Sequence, residues 1–427
     1  MKEIFKLLII DFIEKELNVI KRNYKIPIDT NKIVSLVGVR RSGKTYILYE
    51  TIQKLREQID SRNIIYINFE DDRLFGITLQ HLNTLIEAYF ELFPQKRDEK
   101  IYIFLDEIQE VANWEKFVRR IYDTLNAQIF ITGSSSKLLS KEIASALRGR
   151  SITYEIFPLS FKEYLQFQNI DINFYSSKTL SFIKNSFNNY LTKGGFPEIA
   201  MENDEDIQKR ILSDYVDLIV YRDIIERYNI KNLSLIKFLI KYVFSNPSTL
   251  LSFNKLYNEL KSQGYRLSKD TLFDYFSYLN DAYTVFSSPV FKSSVKEEKK
   301  NPKKIYIVDN GFNYIFNTSF SKDFSKLFEN LVFLNLRRKY RDIYYFKEKQ
   351  EIDFFIPQEK LLVNVSYLID DQTTLKREIN SLEEGMKYFN INKSYLITTE
   401  KDEVFKINDK KIITIPLYKW LLGQFPY

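Results

Sequence analysis

The chain has 427 residues, 44% of them hydrophobic and 16% aromatic, with a net charge of +7 and a pI near 8.9. That length exceeds a single core and implies several domains, while the apolar share excludes a disordered polymer. Cysteine is absent and His81 is the only histidine, which excludes disulfide frameworks, thiol nucleophiles and zinc ribbons and leaves a Ser-His-Asp triad only that one imidazole. The mild basic balance is compatible with nucleic acid without demanding it.

Residues 2–24 read as an amphipathic helix packed on a core. Asp11 and Glu14 interrupt its apolar run and no small-residue cleavage site follows, so an export signal is not expected; no stretch reaches the length of a membrane span, and the protein is placed in the cytoplasm with no membrane partner. An apolar strand at 33–37 then runs into Gly38-Val39-Arg40-Arg41-Ser42-Gly43-Lys44-Thr45, followed by a helix from Tyr46 to 55. Strand, glycine-rich loop and helix in that order form a phosphate-binding loop. Its glycines let backbone N–H groups curl round phosphate, Lys44 reaches the β/γ oxygens, the Thr45 hydroxyl takes a place on Mg²⁺, and the helix points its positive dipole end the same way. The nucleotide-facing set is therefore Gly38, Arg41, Ser42, Gly43, Lys44, Thr45 and Tyr46.

Farther on, 63–69 reads as a strand and 78–88 as a helix in which His81 is a surface or capping residue. The continuous apolar run 101–105 has the character of a strand buried on both faces, and it ends in Asp106-Glu107. At the carboxyl end of such a strand Asp106 holds Mg²⁺ through water, and Glu107 orients and polarises the attacking water. A helix through 114–122 and a strand at 128–132 follow. The latter ends in Gly133-Ser134-Ser135-Ser136, which puts Ser134 where a polar side chain meets the γ-phosphate or the water; beyond it Arg150, with Arg148 second, is the candidate guanidinium for the charge of phosphoryl transfer.

GVRRSGKT, FLDEIQEVANWE, ITGSSSKLL, the LRGR segment with Phe157-Pro158-Leu159-Ser160-Phe161, and YLTKGGFPE at 190–198 together resemble the AAA+/STAND-type P-loop ATPases of the archaeal ATPase group. The resemblance implies an α/β fold: a P-loop NTPase parallel-sheet core (1–155), a helical lid (156–230), a winged-helix domain (231–312) and a C-terminal domain related to PD-(D/E)xK nucleases, restriction-endonuclease-like (313–427). It also implies that Gly195, Phe196 and Pro197 lie against adenine. No asparagine-lysine-x-aspartate guanine reader is present, which favours ATP over GTP.

Residues 206–227 read as one charged lid helix in which Arg222 and Arg227 are tied into salt bridges. Helices at 233–245, 252–263 and 268–283 follow in helix-turn-helix order, the third burying Leu272, Phe273, Phe276, Leu279 and Tyr283 and turning Asp270, Asp274 and Asp281 outward. Those carboxylates argue against major-groove reading. Lys292, Lys296, Lys299, Lys300, Lys303 and Lys304 crowd the wing that follows and offer backbone contact to double-stranded DNA, or form a solvated loop tip. In the last domain Glu329 and Asp353 match two nuclease positions, whereas Asn364 and Ser366 stand where glutamate and lysine belong, so a nuclease-like fold without nuclease activity is expected. The expected activity is Mg²⁺-dependent ATP hydrolysis driving a conformational switch, coupled to nucleic acid or, alternatively, to a protein partner without DNA, with a homo-oligomer deciding whether Arg150 acts within its own subunit.

Overall fold

The computed structural model describes residues 1–134, 147, 149–292, 294–317, 324–368 and 372–424. They form two compact units, residues 1–156 with 281–283, and residues 157–280 with 284–427.

The first unit is built on a five-stranded sheet, β1 (Ile33–Val37), β2 (Ile64–Asn68), β3 (Ile101–Asp106), β4 (Ala127–Gly133) and β5 (Ser151–Glu155), in the order β2-β3-β4-β1-β5. All neighbours pair in parallel. Every residue of β1 and β3 is buried, which is why both read as unbroken apolar runs. Parallel strands require crossovers, supplied by α2 (Lys44–Arg56), α3 (Leu79–Leu92) and α4 (Trp114–Thr124). His81 accepts the Thr78 N–H on Nδ1 at 3.2 Å and caps α3. The N-terminal helix is shorter than its sequence pattern: α1 spans Lys2–Glu14 and buries Phe5, Leu8, Ile9 and Phe12, after which the chain is extended. Its last turn is closed by Arg56, which donates to Phe12 O at 2.6 Å and Lys15 O at 2.7 Å. Leu17 and Val19, which continued the apolar pattern, join the core without helix.

The second unit begins with helices at Phe161–Phe167, Ser177–Lys193, Pro197–Met201 and Glu205–Leu218. The last passes into a π-helical stretch, Ile219–Glu226, where one α-helix was expected. Within it Asp223 is buried and pairs with Arg227 at 3.5 Å, while Arg222 is exposed. Helices Leu233–Ser245, Phe253–Ser262 and Lys269–Asp281 are interleaved with a three-stranded antiparallel sheet: β6 (Thr249–Leu251) lies between the first two helices, β7 (Val285–Ser288) and β8 (Lys303–Ile307) follow the third, and the order is β6-β8-β7. In the helix Lys269–Asp281 the buried stripe is Leu272, Tyr275, Phe276 and Leu279; Phe273, expected inside, is half exposed and covers Phe253 with ring centroids 4.4 Å apart. The remaining sheet holds β9 (Tyr344–Lys347), β10 (Glu351–Ile356), β11 (Leu361–Val365), β12 (Lys393–Thr398), β13 (Val404–Ile407) and β14 (Lys410–Pro416), ordered β13-β14-β12-β11-β10-β9. Helix Phe324–Arg337 and helix Gln372–Tyr388 pack against it.

A buried carboxylate ties the second unit together. Asp309 accepts the Gly195 N–H at 2.7 Å and the Gly311 N–H at 2.8 Å. Gly194 has φ +81°, and a Cβ there would lie 1.6 Å from Asp309 Oδ1, so this position admits only glycine. Among the described residues no helix is long and apolar enough to cross a membrane.

Candidate nucleotide site

The loop after β1 owes its path to two glycines. Gly38 has φ +155° and a Cβ would stand 2.0 Å from Ile156 O, while Gly43, at φ +94°, is the N-cap of α2. Arg41 also takes a left-handed conformation, φ +67°. Lys44 is buried, and its Nζ donates to Gly38 O at 3.2 Å and Val39 O at 3.3 Å and lies 3.4 Å from Glu107 Oε1. The loop thus curls round its own ammonium. Ser42 is fully buried and its Oγ has no partner among the described residues, so the loop holds an unsatisfied donor beside a buried cation. Both features suit a phosphate anion.

Because β4 lies between β1 and β3, its end faces both nucleotide motifs. Asp106 is the hub. It accepts the Thr45 hydroxyl at 2.8 Å, the Tyr66 hydroxyl at 2.8 Å, and the Thr132 hydroxyl on its other oxygen. Thr132 Oγ1 in turn accepts the Glu107 N–H at 2.8 Å, and the Gln109 amide donates to Glu107 Oε2 at 2.6 Å. Burial and the neighbouring Glu107 charge push the Asp106 carboxyl above the usual aspartate value, against the pull of three hydroxyls. Burial acts upward on Glu107 too, but the Lys44 ammonium and the Arg40 guanidinium outweigh it and hold that carboxyl below the usual glutamate value. The two adjacent carboxylates are therefore unlike: Glu107 is held toward its ionised form and Asp106 toward its protonated form. Thr45 and Asp106 fit Mg²⁺, a hard ion that takes one or two protein oxygens and completes its shell with phosphate and water.

The expected residues divide accordingly. Gly38, Gly43, Lys44, Thr45, Asp106 and Glu107 come together, with Ser42 buried among them. Tyr46 is exposed, its ring edge-on to Tyr49 at 5.8 Å. Ser134 is buried immediately beyond β4, and two residues before it Thr132 bonds both Asp106 and the Glu107 N–H. Arg150 is not brought to the loop. It precedes β5, whose Ser151 is level with Ile33, the first residue of β1, whereas the loop leaves the other end of that strand; its guanidinium pairs with Asp123 at 3.1 Å. Arg148, Ser135 and Ser136 lie outside the described residues. In the second unit the Gly195 N–H is held by Asp309 and Pro197 opens a short helix.

Sequence reasoning missed four contributors. Arg22 donates from NH1 to Ser42 O at 2.9 Å, clamping the loop, and its own N–H donates to Glu50 at 3.0 Å. Arg40 is ion-paired with Glu70. Tyr66, in the middle of one apolar strand, and Thr132, near the end of another, were visible only as polar groups among apolar neighbours, a pattern that invites a search for partners.

One of the lysines expected in the wing, Lys304, meets the two carboxylates expected at nuclease positions in one cluster. Lys304, expected on a solvated loop, is 4% exposed and lies on β8 with its Nζ 2.8 Å from Asp353 Oδ1, 2.9 Å from Glu351 Oε1 and 3.2 Å from Glu329 Oε1. It shares a face of the strand with buried Tyr306, whose hydroxyl donates to Glu329 at 2.8 Å. Burial alone would lower the Lys304 ammonium, but Asp353, Glu329 and Glu351 hold it well above the usual lysine value. Glu329 and Asp353 therefore do converge, around an internal cation. Asn364 accepts the Asp353 N–H at 3.2 Å and donates to Glu378 at 2.9 Å, and the Ser366 hydroxyl donates to Leu368 O at 3.2 Å. Of the other wing lysines, Lys292 pairs with Glu348 at 2.7 Å and Lys296 is exposed; the side chains of Lys299 and Lys300 lie outside the described residues.

A parallel sheet with a phosphate loop after β1 and a carboxylate pair after β3 defines a P-loop nucleotide-binding domain, and residues 30–165 match the family model of an AAA domain. Residues 184–338 match a domain of unknown function (DUF8612). The chain is 40% identical to the uncharacterised protein MJ1544 of Methanocaldococcus jannaschii, over 99% of its own length and 96% of that protein's. It is 33% identical to an uncharacterised protein of Haemophilus influenzae, over 88% and 92% of the two lengths. The protein belongs to the family of these AAA-domain proteins. Among solved structures, Orc1 of Aeropyrum pernix in complex with DNA is matched over 67% of this chain and 87% of that one at 13% identity and a TM-score of 0.31. Cdc6p of Pyrobaculum aerophilum is matched over 74% and 91% at 13% identity and a TM-score of 0.28. Those scores are too low to bear on fold or function.

Proposed function

We propose that the protein is a Mg²⁺-dependent ATPase that uses ATP binding and hydrolysis as a conformational switch coupled to nucleic acid. The observation that carries the reading is the continuous chain Thr45–Asp106–Thr132–Glu107, with Lys44 beside Glu107, at the carboxyl edge of the parallel sheet. Lys44, Ser42 and the loop N–H groups hold the phosphates, Thr45 and Asp106 hold Mg²⁺, and Glu107 orients the attacking water as a general base. The ion supplies charge neutralisation at the β/γ oxygens. Thr132 fixes the two carboxylates relative to each other. ATP rather than GTP is the favoured nucleotide, with Gly195, Phe196 and Pro197 as the adenine-side residues by resemblance. Since Arg150 lies at the far end of the strands, its role as a guanidinium finger requires a neighbouring copy in a homo-oligomer.

Residues 231–312, with helices Leu233–Ser245, Phe253–Ser262 and Lys269–Asp281, a further short helix Val295–Lys300 between β7 and β8, and a three-stranded antiparallel sheet, support a winged-helix reading, and the mixed six-stranded sheet that follows supports a nuclease-like domain at 313–427. The rival reading, a regulatory ATPase acting on a protein, is favoured by the exposed acidic residues Asp270 and Asp274 on the third helix. Steady-state ATP hydrolysis by wild type and Glu107→Gln, with and without duplex DNA, separates them. DNA-stimulated hydrolysis lost in the variant supports the first; hydrolysis indifferent to DNA supports the second; no hydrolysis under any condition sinks the ATPase reading.

A further inference from the structure

The second unit contains a cleft of about 880 Å³ that the nucleotide chemistry leaves unused. It runs between the end of helix Phe324–Arg337, the turn joining β10 to β11, the residues leading into β12, and the chain after helix Leu417–Leu421. Four lysines line it, Lys162, Lys339, Lys360 and Lys393, against one carboxylate, Glu359. All four are exposed. None has a carboxylate within ion-pair distance among the described residues, and only Lys393 has another partner, the ring of Tyr395 at 5.2 Å. The contrast with the wing is direct: Lys304 is consumed by three carboxylates and Lys292 by Glu348.

Four cations gathered from separate elements repel one another, and among the described residues of the lining only the Glu359 carboxylate opposes them. Their complement is an anion with several charges spread along its length, since the cleft is far larger than one phosphate. Three asparagine side chains in the lining add neutral donors of the kind that contact phosphate and sugar. The rings in the lining are not open platforms for stacked bases: Trp420 is 6% exposed, and Tyr340 and Tyr395 are half-buried. We propose that this cleft docks the phosphate backbone of duplex nucleic acid without reading its sequence. The proposal rests on the nucleic-acid-coupled reading above and moves the contact from the wing to the cleft.

The test is fluorescence anisotropy of a labelled duplex with the full-length protein over a KCl series, comparing wild type with the quadruple variant K162A/K339A/K360A/K393A and with Lys296→Ala. ATP-analogue binding and circular dichroism serve as folding checks, and both should be unchanged because the lysines are exposed. Each phosphate contact removed lowers the slope of log K against log salt by about 0.9, so the quadruple variant should lose about 3–4 units of slope and most of its low-salt affinity, with Lys296→Ala near wild type. Wild-type binding that survives the quadruple change overturns the cleft while leaving nucleic acid as partner. No binding at low salt overturns both, without touching the ATPase. Equal displacement of the duplex by polyglutamate of matched charge overturns the assignment in favour of an acidic protein.

Discussion

Replacing Lys304 with methionine should destabilise the second unit severely and in a pH-dependent way. The lysine side chain is 5% exposed, and the carboxylates it serves are 16% exposed at Glu329, 17% at Asp353 and 30% at Glu351. Methionine keeps the length and loses the charge, leaving Glu329 and Asp353 without their ammonium and Glu351 with only Lys347, 3.2 Å away. Removing one partner from a buried ion pair costs roughly 3–5 kcal/mol because the remaining charge is left uncompensated. With a urea slope of about 3 kcal/mol/M, the unfolding midpoint should fall by about 1–1.7 M. The chain has two tryptophans, Trp114 in the first unit and Trp420 in the second; with Trp114→Phe as background, Trp420 fluorescence reports the second unit alone. Burial already pushes the Glu329 carboxyl up to about 7, against the downward pull of Lys304, and in the variant that pull is gone. A carboxyl raised in the folded state favours folding below its unfolded value, near 4.3, and that contribution is lost as pH rises through the folded value. The deficit relative to wild type should therefore be largest above pH ~8 and shrink toward pH ~5, where the protonated Glu329 carboxyl no longer needs the ammonium. A midpoint within about 0.2 M of wild type at pH ~8, or a deficit indifferent to pH, would refute the buried network.

Glu107→Gln should retain ATP-analogue binding and lower the rate of hydrolysis about 10²–10⁴-fold, the usual contribution of a positioned base, measured by phosphate release. Thr132→Val, which removes the hydroxyl shared by Asp106 and the Glu107 N–H, should lower the same rate by about 10-fold or more while leaving binding within a few-fold. Gly194→Ala should cost about 1–3 kcal/mol in urea unfolding, since its φ of +81° and the 1.6 Å approach to Asp309 leave no room for a methyl group. Asp309, raised by burial to about 7 despite two accepted N–H groups, gives stability that is present below its unfolded value near 3.9 and lost as pH rises through about 7. In Asp309→Asn that part of the pH dependence should vanish, leaving a flatter midpoint-against-pH curve than wild type; an unchanged curve would count against the buried carboxyl.

The nucleotide loop and the carboxylate pair were legible because both lie where local sequence dictates geometry. A buried parallel strand reads as an unbroken apolar run, and the turn at its end needs glycine at Gly38 and Gly43, so strand, loop and helix can be placed without knowing what surrounds them. Arg22 and Thr132 act through contacts 20 and 26 residues away, at Ser42 and Asp106, and no local pattern announces such partners. The N-terminal helix was overextended for the same reason: the apolar spacing persists past Glu14, but Arg56, 41 residues on from Lys15, ends the helix by taking its last carbonyls.

Lys304 is the sharpest case. In sequence it is one of several lysines near a turn, and a charge run is ordinarily solvated. Yet β8 alternates, Lys304 and Tyr306 on one face, and a lysine in phase with a buried tyrosine must either snorkel or meet carboxylates. The carboxylates were in view, at Glu329 and Asp353, already set apart as nuclease positions lacking their lysine. Two incomplete patterns in different stretches of the chain were thus halves of one site. The cation missing after Asn364 is supplied by β8, where it neutralises the carboxylates and joins the three-stranded sheet to the six-stranded one. An ammonium held among those three carboxylates and shut off from solvent is poorly placed to meet a DNA backbone, so any nucleic-acid contact in this unit must use other cations.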